Sequence, residues 1–494
     1  MKVGGIVGRN DADGIITGCT NNASVQHRSN PRLQSLAGIA GYNAGTVTGC
    51  TNTGAVSHMT TSIDGASKKG GRIVNIAGVI GENIEDAKVS DVHNSGNLQI
   101  SAMECNYDSD NDKPVCEARL GGVIAYNLAA IDGGSSKNIT NSGQVYFNTN
   151  FNLQFIGYEL GGVVGYSTAS VQNAKNSGYV VVNWNSDANV ASKMYLGGIV
   201  GMMAGDGTIS GCVNEGGENK AGEVYPNVKA STTAGHKDIF AGGILGYSTN
   251  NVTIYDCSNS GYVHGGNSSR VNGTPFYVGG IVAYLAGVSR ILDCSNTGMV
   301  YNAHNNNTDT IGKTPLVGGM AGYLEGTEAD PIIVGGSTGC TVDASVGSNR
   351  GWAAGIAGYA KYVNMSSCTV MQDINCAARA SGGLVGQAQN CTIASSSFKG
   401  EKVHSNNTQT TTGQGGLVGQ MANTVVDGCS CYATTLTNNV SVADVGAIVG
   451  VSVEGNTIKN CHYKGTVTTT AGSVPAKIAG SGEFTDGGGN AADL

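Results

Sequence analysis

The stretch Ala37-Gly38-Ile39-Ala40-Gly41-Tyr42-Asn43-Ala44-Gly45-Thr46-Val47-Thr48-Gly49-Cys50-Thr51-Asn52-Thr53-Gly54-Ala55-Val56 decides the fold, because both of its halves recur along the whole chain. The first half has the form Gly-Gly-(Ile/Val)-(Val/Leu)-Gly-Tyr, with Ala sometimes replacing a Gly. Its second residue falls at Gly5, Gly38, Gly78, Gly122, Gly162, Gly198, Gly243, Gly280, Gly319, Gly355, Gly383, Gly416 and Ala447, thirteen copies at intervals of 28 to 45 residues. A weak echo surrounds Ile478-Ala479-Gly480. The second half, Cys-x-Asn-x-Gly-x-Val, follows each copy at a short, nearly constant interval, as in Cys294-Ser295-Asn296-Thr297-Gly298-Met299-Val300. Length varies only between that Val and the next glycine pair. A constant unit with insertions at one place is the pattern of stacked repeats, each burying its apolar face against its neighbours.

The units are strands. Ile199-Val200 and Tyr179-Val180-Val181-Val182 are β-branched or aromatic runs bounded by Gly, Asn and Ser, and no segment sustains a 3.6-residue period. Composition agrees: 78 Gly against 7 Pro, with 13% charged residues, fits neither collagen nor a disordered chain. Abundant Asn, Ser and Thr supply turn formers in place of helix formers. The expected fold is all-β, a parallel β-helix (β-solenoid) of thirteen coils, one per motif copy. Each coil is expected to hold about three short strands, with variable insertions on one side. Residues 1–482 are expected to form a single repeat domain and 483–494 a flexible Gly-rich tail.

Ten of the 14 cysteines, Cys19, Cys50, Cys212, Cys257, Cys294, Cys340, Cys368, Cys391, Cys429 and Cys461, fall at one repeat position. Three other coils place Val92, Ile139 and Ala174 there, so the slot reads as interior and the cysteines as a buried, inert thiol column. One Cys per coil does not provide the paired ligands of a zinc site. Cys105 and Cys116 lie in a single insertion and could close a disulfide in an oxidising compartment. The same insertion carries Asp108, Asp110 and Asp112, alternating like the start of a calcium loop. Lys113 and Arg119 stand where an EF-hand needs Gly and Glu, which leaves only a looser calcium candidate beside the plainer reading of a solvated loop. No other cofactor is expected.

Tyr42, Tyr126, Tyr166, Tyr247, Tyr284, Tyr323 and Tyr359 end seven copies of the glycine motif. Stacking aligns them, either as an exposed ladder that grips sugar rings or a partner, or as rings packed on one another. The slots of Ile39 and Ala40 are apolar throughout, so this strand is expected to be covered on each face. Asn52, Asn94, Asn141, Asn176, Asn214, Asn259 and Asn296 are placed to form an amide ladder at a turn. The glycines that follow, such as Gly54, Gly143, Gly178 and Gly261, suit a bend with positive φ.

The eight histidines fall in different coils without recurring partners, and no catalytic constellation is visible. A net charge of −8 without a basic stripe argues against nucleic acid. No long uncharged apolar window marks a transmembrane segment, and the amino terminus lacks the apolar core of a signal peptide. The first repeat begins without a cap, so the amino-terminal end is expected to be continuous with, or packed on, another domain.

The paired motifs, Gly41-Tyr42-Asn43-Ala44-Gly45-Thr46-Val47-Thr48-Gly49-Cys50 and its sisters, resemble the GLUG-type repeat. The resemblance covers nearly the whole chain. It implies a secreted or surface protein of bacteria, of the kind found in adhesin-like proteins and in non-catalytic parts of immunoglobulin A peptidases. This chain departs from the commonest form in its Cys-x-Asn-x-Gly and in its long insertions. The expected function is a non-catalytic, extracellular or cell-surface module, adhesin-like binder or spacer, that contacts host or bacterial glycans or surface proteins. The alternatives are a polysaccharide lyase or hydrolase of β-helix type, with acids gathered across coils, and a structural self-assembling stalk.

Overall fold

The computed structural model describes residues 1–28, 33–59, 72–101, 116–149, 157–184, 193–217, 221–228, 238–266, 275–302, 314–340, 342–344, 351–406, 413–438, 444–469 and 472–494. The chain, expected as one repeat domain, divides into two compact units: Met1–Ser248 with Cys257–Val271, and Thr249–Asp256 with Asn272–Leu494. Each unit is a parallel β-helix, and the described residues contain no helix. Each of the thirteen glycine motifs opens one coil.

In the first unit a complete coil runs through Lys193–Gly197, Val200–Met203, Gly207–Ser210, Val213–Asn214 and Val224–Val228. In the second it runs through Leu316–Gly318, Ala321–Glu325, Ile332–Gly335, Thr338–Gly339 and Val342–Ala344. These five positions define five faces. About three strands per coil were expected. The additional segments in these two coils are pieces of two to four residues on the third and fourth faces, too short to stand out in the sequence pattern. Strands on each face pair in parallel and in register, as in Leu36↔Ile76, Leu120↔Leu160 and Leu160↔Leu196 of the first unit. The second unit shows the same with Val317↔Ala353 and Ala353↔Ser381. Most of the length variation lies between a fifth-face strand and the next first-face strand, but the insertions expected on one side also occur elsewhere, between Asp132 and Ile139 and between Asn214 and Val224.

The glycine motif is explained by lack of space. A Cβ on Gly165, Gly201 or Gly246 would come within 2.7, 2.7 or 2.8 Å of the carbonyl oxygen of Leu120, Leu160 or Leu196, and at Gly246 it would also lie 2.4 Å from the Gly201 carbonyl oxygen. The second-face strand is therefore pressed on the first-face backbone of the preceding coil. This supplies the expected second covering, and Ile39 and Ala40 are both fully buried. A Cβ on Gly162 or Gly198 would run into the amide of Asn176 or Asn214 in the same coil. The two sequence motifs travel together because the glycine leaves the room that the asparagine fills.

A left-handed residue immediately precedes the interior slot of the fourth face in most coils; before Ile139 it is Lys137, two residues earlier. In the first unit these are Gly18, Gly49, Asp91, Asn173 and Gly211, with φ between 52° and 62°. In the second they are Asp293, Gly336, Ser367, Ser395, Gly428 and Asn460, with φ between 46° and 61°. Gly, Asn and Asp tolerate this conformation best. Positive φ was expected instead at Gly54, Gly143, Gly178 and Gly261, and none of these has it. They are glycine because each lies against backbone: a Cβ would strike the carbonyl of Ala23, Gly96, Gly143 or Gly222.

The carboxyl end also differs from expectation. Residues 483–494, read as a flexible tail, continue the ladder. Thr485–Asp486 pairs with Thr457–Lys459, Ala491 bridges to His462, and Asn490 Oδ1 accepts from the Cys461 backbone N–H at 3.0 Å. Thr466–Thr469 folds back antiparallel on Gly472–Pro475.

Candidate functional site

The interior columns come first, because they separate structural side chains from available ones. Backbone pairing stacks Cys19, Cys50, Val92, Ile139, Ala174, Cys212 and Cys257 in the first unit. In the second unit the column is Cys294, Ser337, Cys368, Ser396, Cys429 and Cys461. Cys340 and Cys391 were expected in this column and are not in it. Cys340 lies three residues past the slot that Ser337 fills. Cys391 precedes Thr392, which pairs with Asn364 on the third face.

A common contact explains why Ser and Cys interchange. Ser337 and Ser396 donate to the carbonyls of Gly335 and Ala394 at 2.9 and 2.8 Å, and the thiols of Cys294 and Cys461 donate to Leu292 and Lys459, both at 3.2 Å. Each closes the bend made by the left-handed residue between. Of the twelve cysteines whose side chains are described, all but Cys19 are buried. Burial pushes the thiols of Cys340, Cys429 and Cys431 up to about 12, and those of Cys368 and Cys391 to about 11.

The amide ladder forms as expected in the first unit. Asn21, Asn52, Asn94, Asn141, Asn176 and Asn214 each donate Nδ2–H to the next Oδ1 at 2.7 to 2.8 Å, ending at Asn259. The other N–H goes to a turn carbonyl, as from Asn141 to Gly143. In the second unit the register after Asn296 is held by Gly339, Val370, Phe398, Cys431 and Tyr463, and Cys340 turns inward to accept from Asn296. A second ladder, unforeseen, links Asn10, Asn43, Asn83, Asn127 and Ser167 at 2.8 to 3.0 Å. Its signal was the Asn that follows Tyr in Gly41-Tyr42-Asn43 and Ala125-Tyr126-Asn127.

The tyrosines align on the second face: Tyr42, Tyr126, Tyr166 and Tyr247 in the first unit, and Tyr284, Tyr323 and Tyr359 in the second. Glu82 and Met202 occupy two coils of the first column. Tyr284 stacks on Tyr323 at 4.6 Å, and Tyr323 on Tyr359 at 5.0 Å. Tyr323 and Tyr359 are buried and the other five half-buried, so this column gives much of its ring area to packing. Beside it, the Arg119 guanidinium lies 4.6 and 4.0 Å from the rings of Tyr126 and Tyr166 and donates to Glu117 at 2.9 Å. Glu159 Oε2 lies 3.9 Å from Arg119 Nε, and neither atom has a hydrogen-bond partner among the described residues. Burial pushes the Glu159 carboxyl up to about 8 despite the arginine, so it holds its proton at neutral pH.

A mixed set of side chains on the fifth face of the first unit was not marked by the sequence motifs; of its outward residues named below Tyr262 is exposed, Val181 is buried and the rest are half-buried. Tyr146, Val181 and Tyr225 form one column, and Asn148, Asn183 and Asn227 the next. Tyr179 and Glu223 precede the paired residues Val180 and Val224, and Tyr262 precedes Val263, which pairs with Val224. His264 follows, its ring 4.9 Å from Tyr225 and its Nε2 2.7 Å from Glu223 Oε1.

Asp108, Asp110, Asp112 and Cys105 lie outside the described residues, as does the side chain of Cys116, so neither the calcium candidate nor the disulfide has a place here. Among the described residues no group of three or more His, Cys, Asp or Glu is arranged to hold a metal ion, and no helix is long and apolar enough to cross a membrane.

Residues 2–26 match the family model of the GLUG motif. No curated protein and no solved structure matches the chain.

Proposed function

We propose, from the GLUG match over residues 2–26 and the coil geometry together, that this β-helix repeat protein is a non-catalytic binding module of the bacterial cell surface, adhesin-like, contacting glycans or surface proteins. One observation carries the reading. In-register pairing turns single outward residues into rows of related groups, half-buried rings and amides recurring at the strand spacing of about 4.8 Å. Rows of this kind match a ligand that repeats along its own length, and binding then adds up over several coils.

The experiment is a glycan-array screen of the purified chain with and without calcium, followed by incubation of each hit. Saturable binding without cleavage is expected. Cleavage products would replace this reading with a polysaccharide-degrading one, and a calcium requirement would add the cation to the site.

A further inference from the structure

We infer that the fifth face of the first unit is a glycan subsite, formed by Tyr146, Tyr179, Tyr225 and Tyr262 around Val181 and Glu223, and that it takes an uncharged oligosaccharide laid across the coils. The inference rests on the binding-module reading and names its site and ligand class.

The tyrosines alternate. Tyr146 and Tyr225 stand two coils apart in one column with Val181 between them, and Tyr179 and Tyr262 stand two coils apart in the adjacent column with Glu223 between them. Two coils span on the order of 10 Å, about the length of two linked hexose rings, and the columns are separated by roughly 7 Å, two residues along a strand.

These rings are not needed for the core. The inward side of the same strands is already filled by Val145, Phe147, Val180, Val182, Val224 and Val263, all fully buried. Tyr262 leaves 52% of its surface to solvent. Tyrosine offers a flat apolar face with a polar end at low cost in side-chain entropy, which suits the C–H faces of a sugar ring.

The polar groups along this face set direction. Asn227 Nδ2 donates to Asn183 Oδ1 at 2.8 Å, Asn183 Nδ2 to the Tyr146 hydroxyl at 3.2 Å, and the Tyr225 hydroxyl to Asn227 Oδ1 at 3.2 Å. Each amide and hydroxyl has further capacity, and both donors and acceptors are presented, as a polyhydroxylated ligand requires.

Charge selects within the class. The carboxylate of Glu223 lies 2.7 Å from His264 Nε2, and none of the outward residues named on this face is Lys or Arg. An anionic glycan gains nothing here, and an uncharged one loses nothing.

The test uses the full chain and, as probes, an array of neutral and anionic oligosaccharides, with titration calorimetry on each hit. Y225A and Y262A are compared with Y284A on the second face of the other unit, and circular dichroism checks the fold of each. A neutral glycan bound by the wild-type chain is expected to bind roughly tenfold more weakly to Y225A and to Y262A, the loss of a central aromatic contact, and unchanged to Y284A. The exposed Tyr262 keeps the test valid if Y225A fails to fold. Glycan binding that survives both fifth-face variants would overturn this site and leave the binding-module reading standing. Preference for anionic glycans, or capture of a protein ligand sensitive to the same variants, would overturn the ligand class alone. A wild-type chain that binds neither glycan nor cell surface would overturn both.

Discussion

Asn141 sits mid-ladder in the first unit, and its amide touches four groups. It accepts from Asn94, donates to Asn176 and to the Gly143 carbonyl, and accepts from the Gly143 N–H. N141A leaves these buried groups without partners, and with each worth about 1 kcal/mol or more the variant is expected to lose on the order of 3 kcal/mol in urea unfolding. S142A, at the exposed next position, is expected to stay within about 0.5 kcal/mol. The thiols make a second prediction. Cys368, Cys391 and Cys429 are buried with raised pKa values, so in the folded chain at neutral pH their peptides are expected to resist iodoacetamide and to label fully in denaturant, read by mass spectrometry. At this scale much was legible, since an Asn or Cys recurring at a fixed offset marks a column. Cys340 and Cys391 were misplaced because motif spacing cannot show which residue a strand pairs with. In those coils Ser337 and Ser396 hold the slot by making the bond that a thiol makes elsewhere.

On the first-face strand Gly157–Gly161, Glu159 is buried beside Arg119 and Glu117, an arrangement that no repeated motif announces. Its carboxyl is shifted up from 4.5 to about 8, chiefly by desolvation. Between those values the folded chain keeps a proton that the unfolded chain releases, so the stability this group contributes is present at low pH and is lost as pH rises through the folded value. E159Q, which remains uncharged, is expected to melt near the wild-type temperature at about pH 5 and above it at about pH 8.5; equal differences at both would exclude the protonated carboxyl. The five-face outline has the same lesson at element scale. The glycine strands and the Val-rich strands could be read from β-branched runs, whereas Val213–Asn214 and Thr338–Gly339 are strands only because the coils before and after pair with them. The fifth-face tyrosines were missed for a related reason: they recur every second coil and in alternating columns, so no single offset collects them.

At the scale of the whole molecule, the repeat constrains where the chain can change length. Between the glycine pair and the fifth-face Val, each strand residue is held in register by the coils on either side, and slipping by one would turn inward residues outward. One alanine inserted between Gly211 and Cys212 would displace Cys212 from its column and Asn214 from its bonds to Asn176 and Asn259. It would also move the room left by Gly198 away from the amide that fills it. The expected loss is roughly 3 kcal/mol or more, the sum of unpaired ladder groups and a disturbed core. The same alanine inserted between residues 188 and 189, within a stretch whose length already differs from coil to coil, is expected to cost less than about 0.5 kcal/mol. Thermal and urea unfolding of the two variants side by side would check the difference. Equal losses would mean that stability does not reside in the in-register columns, and the account of why the two motifs keep a constant interval would fail with it.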